Sequence, residues 1–154
     1  MSSSEMKKRT RKIDKIVSLA AAEERSLGAQ AGRSRKYLDE QLDRLGELNA
    51  FRHNYTGNNP ASSGVSAAHW KDYQGFLDRL DAALAAQQQI IRDGERNLEI
   101  HRQRWLAKRQ RLESLERVLE KYRDQDRAYE SRLEQKSADE LSNLSPSGFE
   151  TRKS

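Results

Sequence analysis

Residues 77–133 carry the most regular pattern in this chain and read LDRLDAALAAQQQIIRDGERNLEIHRQRWLAKRQRLESLERVLEKYRDQDRAYESRL. Alternate spacings of three and four residues pick out one stripe: Leu77, Leu80, Leu84, Gln87, Ile91, Gly94, Leu98, His101, Trp105, Lys108, Leu112, Leu115, Leu119, Tyr122, Asp126, Tyr129 and Leu133. Twelve of these seventeen side chains are large and apolar. An apolar repeat of about 3.5 residues is the seam of a left-handed coiled coil. The stretch therefore predicts a long helix that packs on another helix.

A looser helical pattern precedes this stretch and predicts a first helix over about residues 9–55. Its apolar positions are Ile13, Ile16, Ala20, Leu27, Tyr37, Leu38, Leu42, Leu45, Leu48, Phe51 and Tyr55. Residues 56–65 are rich in Gly, Asn, Ser and Pro and predict a loop. Ser66 is a candidate N-cap for a second helix over about 66–141. Residues 1–8 are predicted to be a flexible N-terminus and 142–154 a disordered tail.

Composition supports this organisation. Of 154 residues, 34% are apolar and 34% are charged, and helix-forming residues dominate. Such a chain is either disordered or built from long helices that bury a narrow stripe, and the sustained periodicity favours helices. We therefore predict an all-α fold, a long two-helix antiparallel coiled-coil hairpin in which helix 2 is longer than helix 1. Such a hairpin would be a rod that works by contacting partners.

The lengths of the two predicted helices suggest an overhang. If the turn centres near residue 61, residue i faces roughly residue 122 − i, so that Ile13 lies near Arg109. On this pairing, the end of the second helix has no partner within the chain, although its stripe continues through Leu119, Tyr122, Tyr129 and Leu133. We expect these residues to pack against something else. A homodimer that buries them between chains is one alternative, and a fraying helix is another.

Catalytic and metal-binding patterns are absent from the sequence. His53, His69 and His101 are scattered, there is no cysteine, and no HExxH, CxxC, GxGxxG or P-loop motif occurs. A two-helix hairpin also lacks the concave pocket that catalysis generally uses. We therefore predict that the chain is not an enzyme and has no catalytic, cofactor-binding or metal-binding residues. No stretch approaches the roughly 20 apolar residues of a membrane span, and we expect a soluble cytoplasmic protein.

Two basic clusters accompany a net charge of +5. One comprises Lys7, Lys8, Arg9, Arg11, Lys12 and Lys15, and the other Arg102, Arg104, Lys108, Arg109 and Arg111. The assumed pairing places Lys12 near Gln110 and Lys15 near Ala107, which predicts a positive collar. The collar is either a solvated charged face or a docking site for an acidic protein or, less favoured, for nucleic acid. Near the loop, Tyr55, Trp70 and Tyr73 either seal the hairpin end or, with Phe51 and Phe76, form a partner-binding patch.

Three segments resemble one known family. They are Trp70-x-x-Tyr73-x-x-Phe76, the block WLAKRQRLESLE over residues 105–116, and EQKSADE over residues 134–140. In this order, and with a hairpin of this size, they resemble the flagellar export protein FliJ family of the flagellar type III export apparatus. The resemblance covers roughly residues 13–141. It implies a two-helix antiparallel coiled coil similar to the stalk subunit of rotary ATPases.

The resemblance also implies a function and partners. Family members are non-enzymatic components of flagellar protein export that act as a stalk-like rod between the hexameric export ATPase ring and the cytoplasmic part of the large export-gate membrane protein. They also escort export chaperones. The implied location is the cytoplasm, peripherally at the cytoplasmic face of the inner membrane and only through partners. A generic homo-oligomeric coiled-coil scaffold and a nucleic-acid-binding coiled coil are the alternatives.

Two sets of site residues are carried over to this sequence. By resemblance, the export-gate-binding patch falls on Gln41, Leu45, Leu48, Phe76, Leu80, Ala83 and Gln87. Leu48 and Arg52 stand where the family can have an aromatic, and Gln87 where it can have His. The ATPase-binding end, at the termini, has as candidates Arg104, Lys108, Arg109, Glu113, Arg117, Asp139 and Glu140.

Overall fold

The chain forms two long helices in the computed structural model, which describes residues 1–57, 64 and 66–144. Helix α1 spans Ser3–Gly57 and helix α2 spans Ala67–Leu144. Contacts such as Gly28 with Trp105 and Tyr55 with Tyr73 show that the helices run antiparallel. The predicted fold class, an all-α helical hairpin with a longer second helix, is confirmed. Across the described residues, neither helix has a stretch apolar enough to cross a membrane.

Capping explains where each helix begins. The Ser2 hydroxyl accepts a hydrogen bond from the Glu5 backbone N–H at 3.2 Å, and the Ser2 backbone N–H donates to the Glu5 carboxylate at 3.3 Å. This reciprocal capping box starts α1 at Ser3, six residues before the predicted start at residue 9. The Ser66 hydroxyl accepts from the His69 backbone N–H at 3.3 Å, which confirms its expected capping role.

The ends of the predicted loop and tail differ slightly from the structure. Helix α1 continues to Gly57, and α2 continues to Leu144, three residues beyond its predicted end. The rest of the predicted loop, apart from residue 64, and the tail over 145–154 lie outside the described residues. The expectation of a disordered tail therefore stays a prediction.

Contacts divide the chain into two units, each containing part of both helices. The central unit comprises Glu24–Lys108, and the terminal unit comprises Met1–Glu23 and Arg109–Ser154. In the central unit six residues of the predicted stripe of α2 are buried: Leu80, Leu84, Gln87, Ile91, Gly94 and Leu98. The other stripe positions of this unit are half-buried: Leu77, His101, Trp105 and Lys108. Leu38 of α1 forms a buried cluster with Ile91 and Leu98, and Leu45 packs against it. Tyr37, Leu42 and Phe51, which belong to the apolar pattern of α1, are exposed.

In the terminal unit the stripe of α2 has partners on α1, contrary to our expectation of an overhang from Leu119 onward. Leu119 is only 5% exposed within its own chain. The Arg9 guanidinium lies 3.8 Å from the centroid of the Tyr122 ring, and Tyr129 lies beside Met6. Because these residues already pack within the chain, a homodimer is not needed to cover them. Only Leu133, of the four residues assigned to the overhang, is exposed.

The register of the hairpin also differs from the assumed pairing. The assumed pairing places Asp14 opposite the segment between Ala107 and Gln110. In the structure Asp14 pairs instead with Arg123, at 3.4 Å. At the loop end, residues 66–72 are all exposed and Tyr73 is the first buried residue of α2. The start of α2 therefore has no α1 residue opposite it. As a result, each residue of α1 faces a residue further along α2 than a symmetric turn would place opposite it.

The predicted basic collar does not form, because of this register. The first basic cluster lies beside residues 122–130 of α2, where Lys7 pairs with Glu130 at 3.3 Å and Arg9 bonds to Gln125 at 2.8 Å. It is therefore next to acidic and polar side chains and not next to Arg109 or Arg111. The collar was wrongly predicted because the pairing assumed a symmetric turn centred near residue 61.

Candidate functional site

Three members of the predicted gate-binding patch are buried between the helices. Gln41 and Gln87 are 4% and 8% exposed, and Leu80 is also buried. The Gln87 side-chain amide donates to the Gln41 backbone carbonyl and to the Gln41 side-chain oxygen, each at 2.9 Å. These bonds satisfy the polar atoms that burial would otherwise leave unpaired. The pair therefore forms a polar layer in the seam, and its role in binding a partner stays a prediction.

The other members of this patch reach the surface. Leu45, Leu48 and Phe76 are half-buried, and Ala83 is exposed. Phe76 contacts Phe51 edge-on at 6.1 Å between ring centroids, and Phe51 is 52% exposed. An exposed aromatic supported by a second ring is a common anchor at protein interfaces. Phe51 is therefore a further candidate for the predicted patch, and the carried-over set omitted it.

An aromatic stack closes the helix pair near the loop. Tyr55 stacks on Tyr73 at 5.1 Å between centroids, and Tyr73 stacks on Trp70 at 5.6 Å. Tyr55 also packs on Phe76 at 4.5 Å. Tyr73 is buried, whereas Trp70 is exposed. Of the two alternatives for these residues, sealing the hairpin accounts for Tyr55 and Tyr73, while Trp70 and Phe51 remain available to a partner.

Arg52, which stands where the family can have an aromatic, joins the two helices by an ion pair. Its Nε lies 2.6 Å from Asp81 Oδ1. The hydrogen bond and charge of Asp81 raise the pKa of the Arg52 guanidinium above its ordinary value. Because both side chains are substantially exposed, solvent screens the pair and its contribution to stability is small. The ion pair places two charged side chains at the edge of the surface formed by Leu48 and Phe76.

The candidates for the ATPase-binding end fall into both units. Arg104 and Lys108 belong to the central unit, where Arg104 is exposed and Lys108 is half-buried. The others belong to the terminal unit: Arg109, Glu113, Arg117, Asp139 and Glu140. Arg109 pairs with Glu113 at 3.4 Å along α2. Arg117 is exposed and lines a shallow cleft with Glu120 and Lys121.

The last part of α2 is fully exposed. Every residue from 131 to 144 is exposed, including Leu133, Leu141 and Leu144 as well as the candidates Asp139 and Glu140. Helix α1 begins at Ser3, which lies with Met6 beside Tyr129 and Glu130. No residue of α1 is therefore available opposite the end of α2, so the predicted overhang exists but begins near residue 131.

The described residues hold no group of three or more His, Asp or Glu side chains that could bind a metal ion. His101 is half-buried, and its Nδ1 has no hydrogen-bond partner within the described chain. A single imidazole with no second ligand offers no coordination site.

Comparisons with known proteins agree on one family. The family model described as "Flagellar FliJ protein" matches residues 9–148. The "Flagellar FliJ protein" of Escherichia coli (strain K12) is 30% identical over 104 residues, which cover 67% of this chain and 69% of that protein. No solved structure matches the chain.

Proposed function

Since this chain belongs to the flagellar FliJ family, it is a component of flagellar protein export, and we propose that it is a non-enzymatic, stalk-like link between the export ATPase ring and the membrane export gate. The observation that carries the proposal is the difference between the surfaces of the two units. In the central unit the exposed Phe51 and the half-buried Leu48 and Phe76 form an apolar surface beside the seam, while in the terminal unit every residue of α2 over 131–144 is exposed.

The two surfaces suit different kinds of contact. Phe51, Phe76, Leu45 and Leu48 offer an apolar anchor, which favours a specific and lasting interface with the cytoplasmic part of the gate protein. The exposed end of α2 and the charged residues of the terminal unit offer screened contacts of about 0–1 kcal/mol each. A component that meets successive subunits of a ring needs such weak contacts, because a deep apolar socket would hold it on one subunit.

The gate surface is tested by binding of the purified cytoplasmic part of the export-gate protein to two variants. Phe51→Ala removes an exposed ring, and we expect binding to weaken by about tenfold or more, as for an aromatic anchor. Tyr37→Ala removes another exposed ring of α1, outside the predicted patch, and is the matched control, which should retain most of the affinity. Unchanged binding of Phe51→Ala would remove the apolar surface from the proposal.

The ATPase end is tested by the turnover of the purified export ATPase with and without this protein. We expect the chain to raise hydrolysis, and a quadruple charge reversal at Arg104, Lys108, Arg109 and Arg111 to abolish that effect. A matched quadruple reversal at Arg25, Arg33, Lys36 and Arg44, which are exposed residues of α1, should leave it intact. Equal stimulation by both variants would show that these four basic residues have no role there.

The proposal also includes binding of export chaperones and a peripheral location, through partners, at the cytoplasmic face of the inner membrane.

The alternative function, a homo-oligomeric scaffold, loses its main argument, since Leu119 and Tyr122 pack within the chain. Light scattering measures whether the protein is a monomer or a dimer and so distinguishes the stalk-like role from the homo-oligomeric scaffold. A stable homodimer without effect on the ATPase would contradict the stalk-like role.

A further inference from the structure

A cleft of about 400 Å³ lies between the helices of the central unit, beside Trp105. On α1 it is lined on successive turns by Gly28, Ala31, Gly32 and Arg35, and on α2 by Leu98, Arg102 and Trp105. These spacings make two parallel rows that each run for about two helical turns. The cleft exists because α1 presents small residues where α2 presents large ones.

Trp105 is held in a fixed position at this cleft. Its indole N–H donates to the Glu24 carboxylate at 2.8 Å. An ideal Cβ at Gly28 would lie 3.0 Å from the indole nitrogen, so only glycine lets the ring approach the α1 backbone this closely. The ring is thus positioned as a rigid wall of the cleft.

Gly32 leaves the cleft open. An ideal Cβ at Gly32 meets no atom within 4 Å, so the space beside it is free for a side chain from outside. Ala31 and Leu98 are buried and provide an apolar floor. One bulky apolar side chain of a partner could lie in this notch against Trp105.

Charge at the cleft is positive. Arg35 and Arg102 flank it, one from each helix, and among the described residues no carboxylate lines it. Arg35 pairs with Asp39 at 3.4 Å, whereas Arg102 has no ion pair within residues 1–57 and 66–144. A partner that approaches the notch would therefore be favoured by carboxylates on either side of its apolar anchor.

We propose that this cleft is a docking site for an acidic amphipathic helix of another protein, which inserts one bulky apolar side chain over Gly32 and presents carboxylates to Arg102 and Arg35. A helix suits the cleft because both rows run along the helix axes and the small residues of α1 allow close approach. Single-stranded nucleic acid is less favoured, since it needs several stacking rings and a continuous basic track. The inference is independent of the export function proposed above.

Trp105 provides the readout. The chain contains two tryptophans, so the Trp70→Phe variant makes Trp105 the sole source of indole fluorescence. The probe is an Ala-based helical peptide with one Phe flanked by Glu at positions i−4, i−3, i+3 and i+4. Its matched control replaces each Glu with Lys. An oligothymidylate serves as the nucleic-acid probe. We expect the acidic peptide to change Trp105 emission saturably and the other two probes to have no effect.

Matched variants in the Trp70→Phe background separate the cleft from the rest of the surface. Gly32→Leu fills the notch, and its control Gly46→Leu places the same side chain at a glycine of α1 that also has open space. Arg102→Glu inverts the charge, and its control is Arg44→Glu, also at an exposed arginine. We expect Gly32→Leu and Arg102→Glu each to weaken binding by about tenfold or more and the controls by less than about twofold.

Four outcomes would overturn the proposal: no response to the acidic peptide, equal responses to both peptides, equal affinities of the cleft variants and their controls, or a response to the oligothymidylate that depends on Arg102. Circular dichroism checks that each variant folds. If Gly32→Leu fails to fold, the comparison of Arg102→Glu with Arg44→Glu decides the question.

Discussion

The two units of this chain use the same two helices but hold them together differently. The central unit buries apolar side chains such as Leu38, Ile91 and Leu98 and includes one neutral polar layer, Gln41 with Gln87. The terminal unit buries Ala20 and Leu119 and adds several charged or polar contacts between its helices. Lys7 pairs with Glu130, Asp14 with Arg123, and the Thr10 hydroxyl donates to Asp126 at 2.7 Å.

This difference shows how one helix pair can be stable in one unit and adaptable in another. Burial of apolar area is not screened by salt and stabilises each layer by more than about 1 kcal/mol. Half-exposed charged contacts contribute about 0–1 kcal/mol each and are screened by salt. We therefore expect the terminal unit to open locally more often than the central unit, which would suit a surface that contacts changing partners.

The largest effect is expected in the apolar seam of the central unit. Ile91→Ala should lower the free energy of unfolding by about 2–4 kcal/mol, because Ile91 is 6% exposed and truncation leaves a cavity. Ile90→Ala is the matched control: the neighbouring residue is 39% exposed, and its truncation should cost much less. Urea unfolding followed by circular dichroism measures both. Similar losses would show that the seam is not where the structure places it.

A somewhat smaller effect is expected at the polar layer. Gln87→Ala should lower the free energy of unfolding by about 1–3 kcal/mol, since it leaves the buried Gln41 side chain without its hydrogen-bond partner. Replacing both residues with leucine removes both polar groups and should restore most of the stability. Urea titrations of the single and double variants provide the comparison. A double variant less stable than Gln87→Ala would contradict this account.

Glycine substitutions at two positions of α1 should have different effects on stability. Gly32→Ala should stabilise the chain by about 0.5–1 kcal/mol, because alanine favours the helix and its Cβ meets no neighbouring atom. Gly28→Ala should not stabilise it, since its Cβ would displace the Trp105 ring from Glu24. Thermal unfolding of the two variants ranks them. An equal gain at both positions would mean that Trp105 does not pack on Gly28.

The smallest effect is expected in the terminal unit. Asp14→Asn removes the charge that pairs with Arg123 and should cost at most about 1 kcal/mol. Hydrogen exchange at low and high salt tests the wider comparison. Amides of residues 3–20 should exchange faster at high salt, whereas those of residues 38–50 should change little. The same salt response in both ranges would remove the distinction between the units.

Local patterns predicted much of the fold and less of the site. The stripe of α2 was recognisable because every turn of the helix repeats the same apolar spacing. The capping role of Ser66 was recognisable because capping involves neighbouring residues. The capping box of Ser2 and Glu5 was equally local, and the Ser-x-x-Glu spacing could have revealed it. The cleft at Trp105 was not recognisable, because it depends on residues of α1 and α2 that are distant in sequence.

The amino-acid sequence alone determined that there are two helices, which stripe of α2 is buried, and which family the three matching segments resemble, since each of these depends on residues close together along the chain. Only the tertiary structure decided the register. The stacking of Tyr55 on Tyr73, the Gln41–Gln87 layer and the fit of Trp105 against Gly28 each match one residue of α1 to one residue of α2. A repeat of 3.5 residues is compatible with several registers of the two helices. The three contacts select one register, because only that register allows all of them to form together.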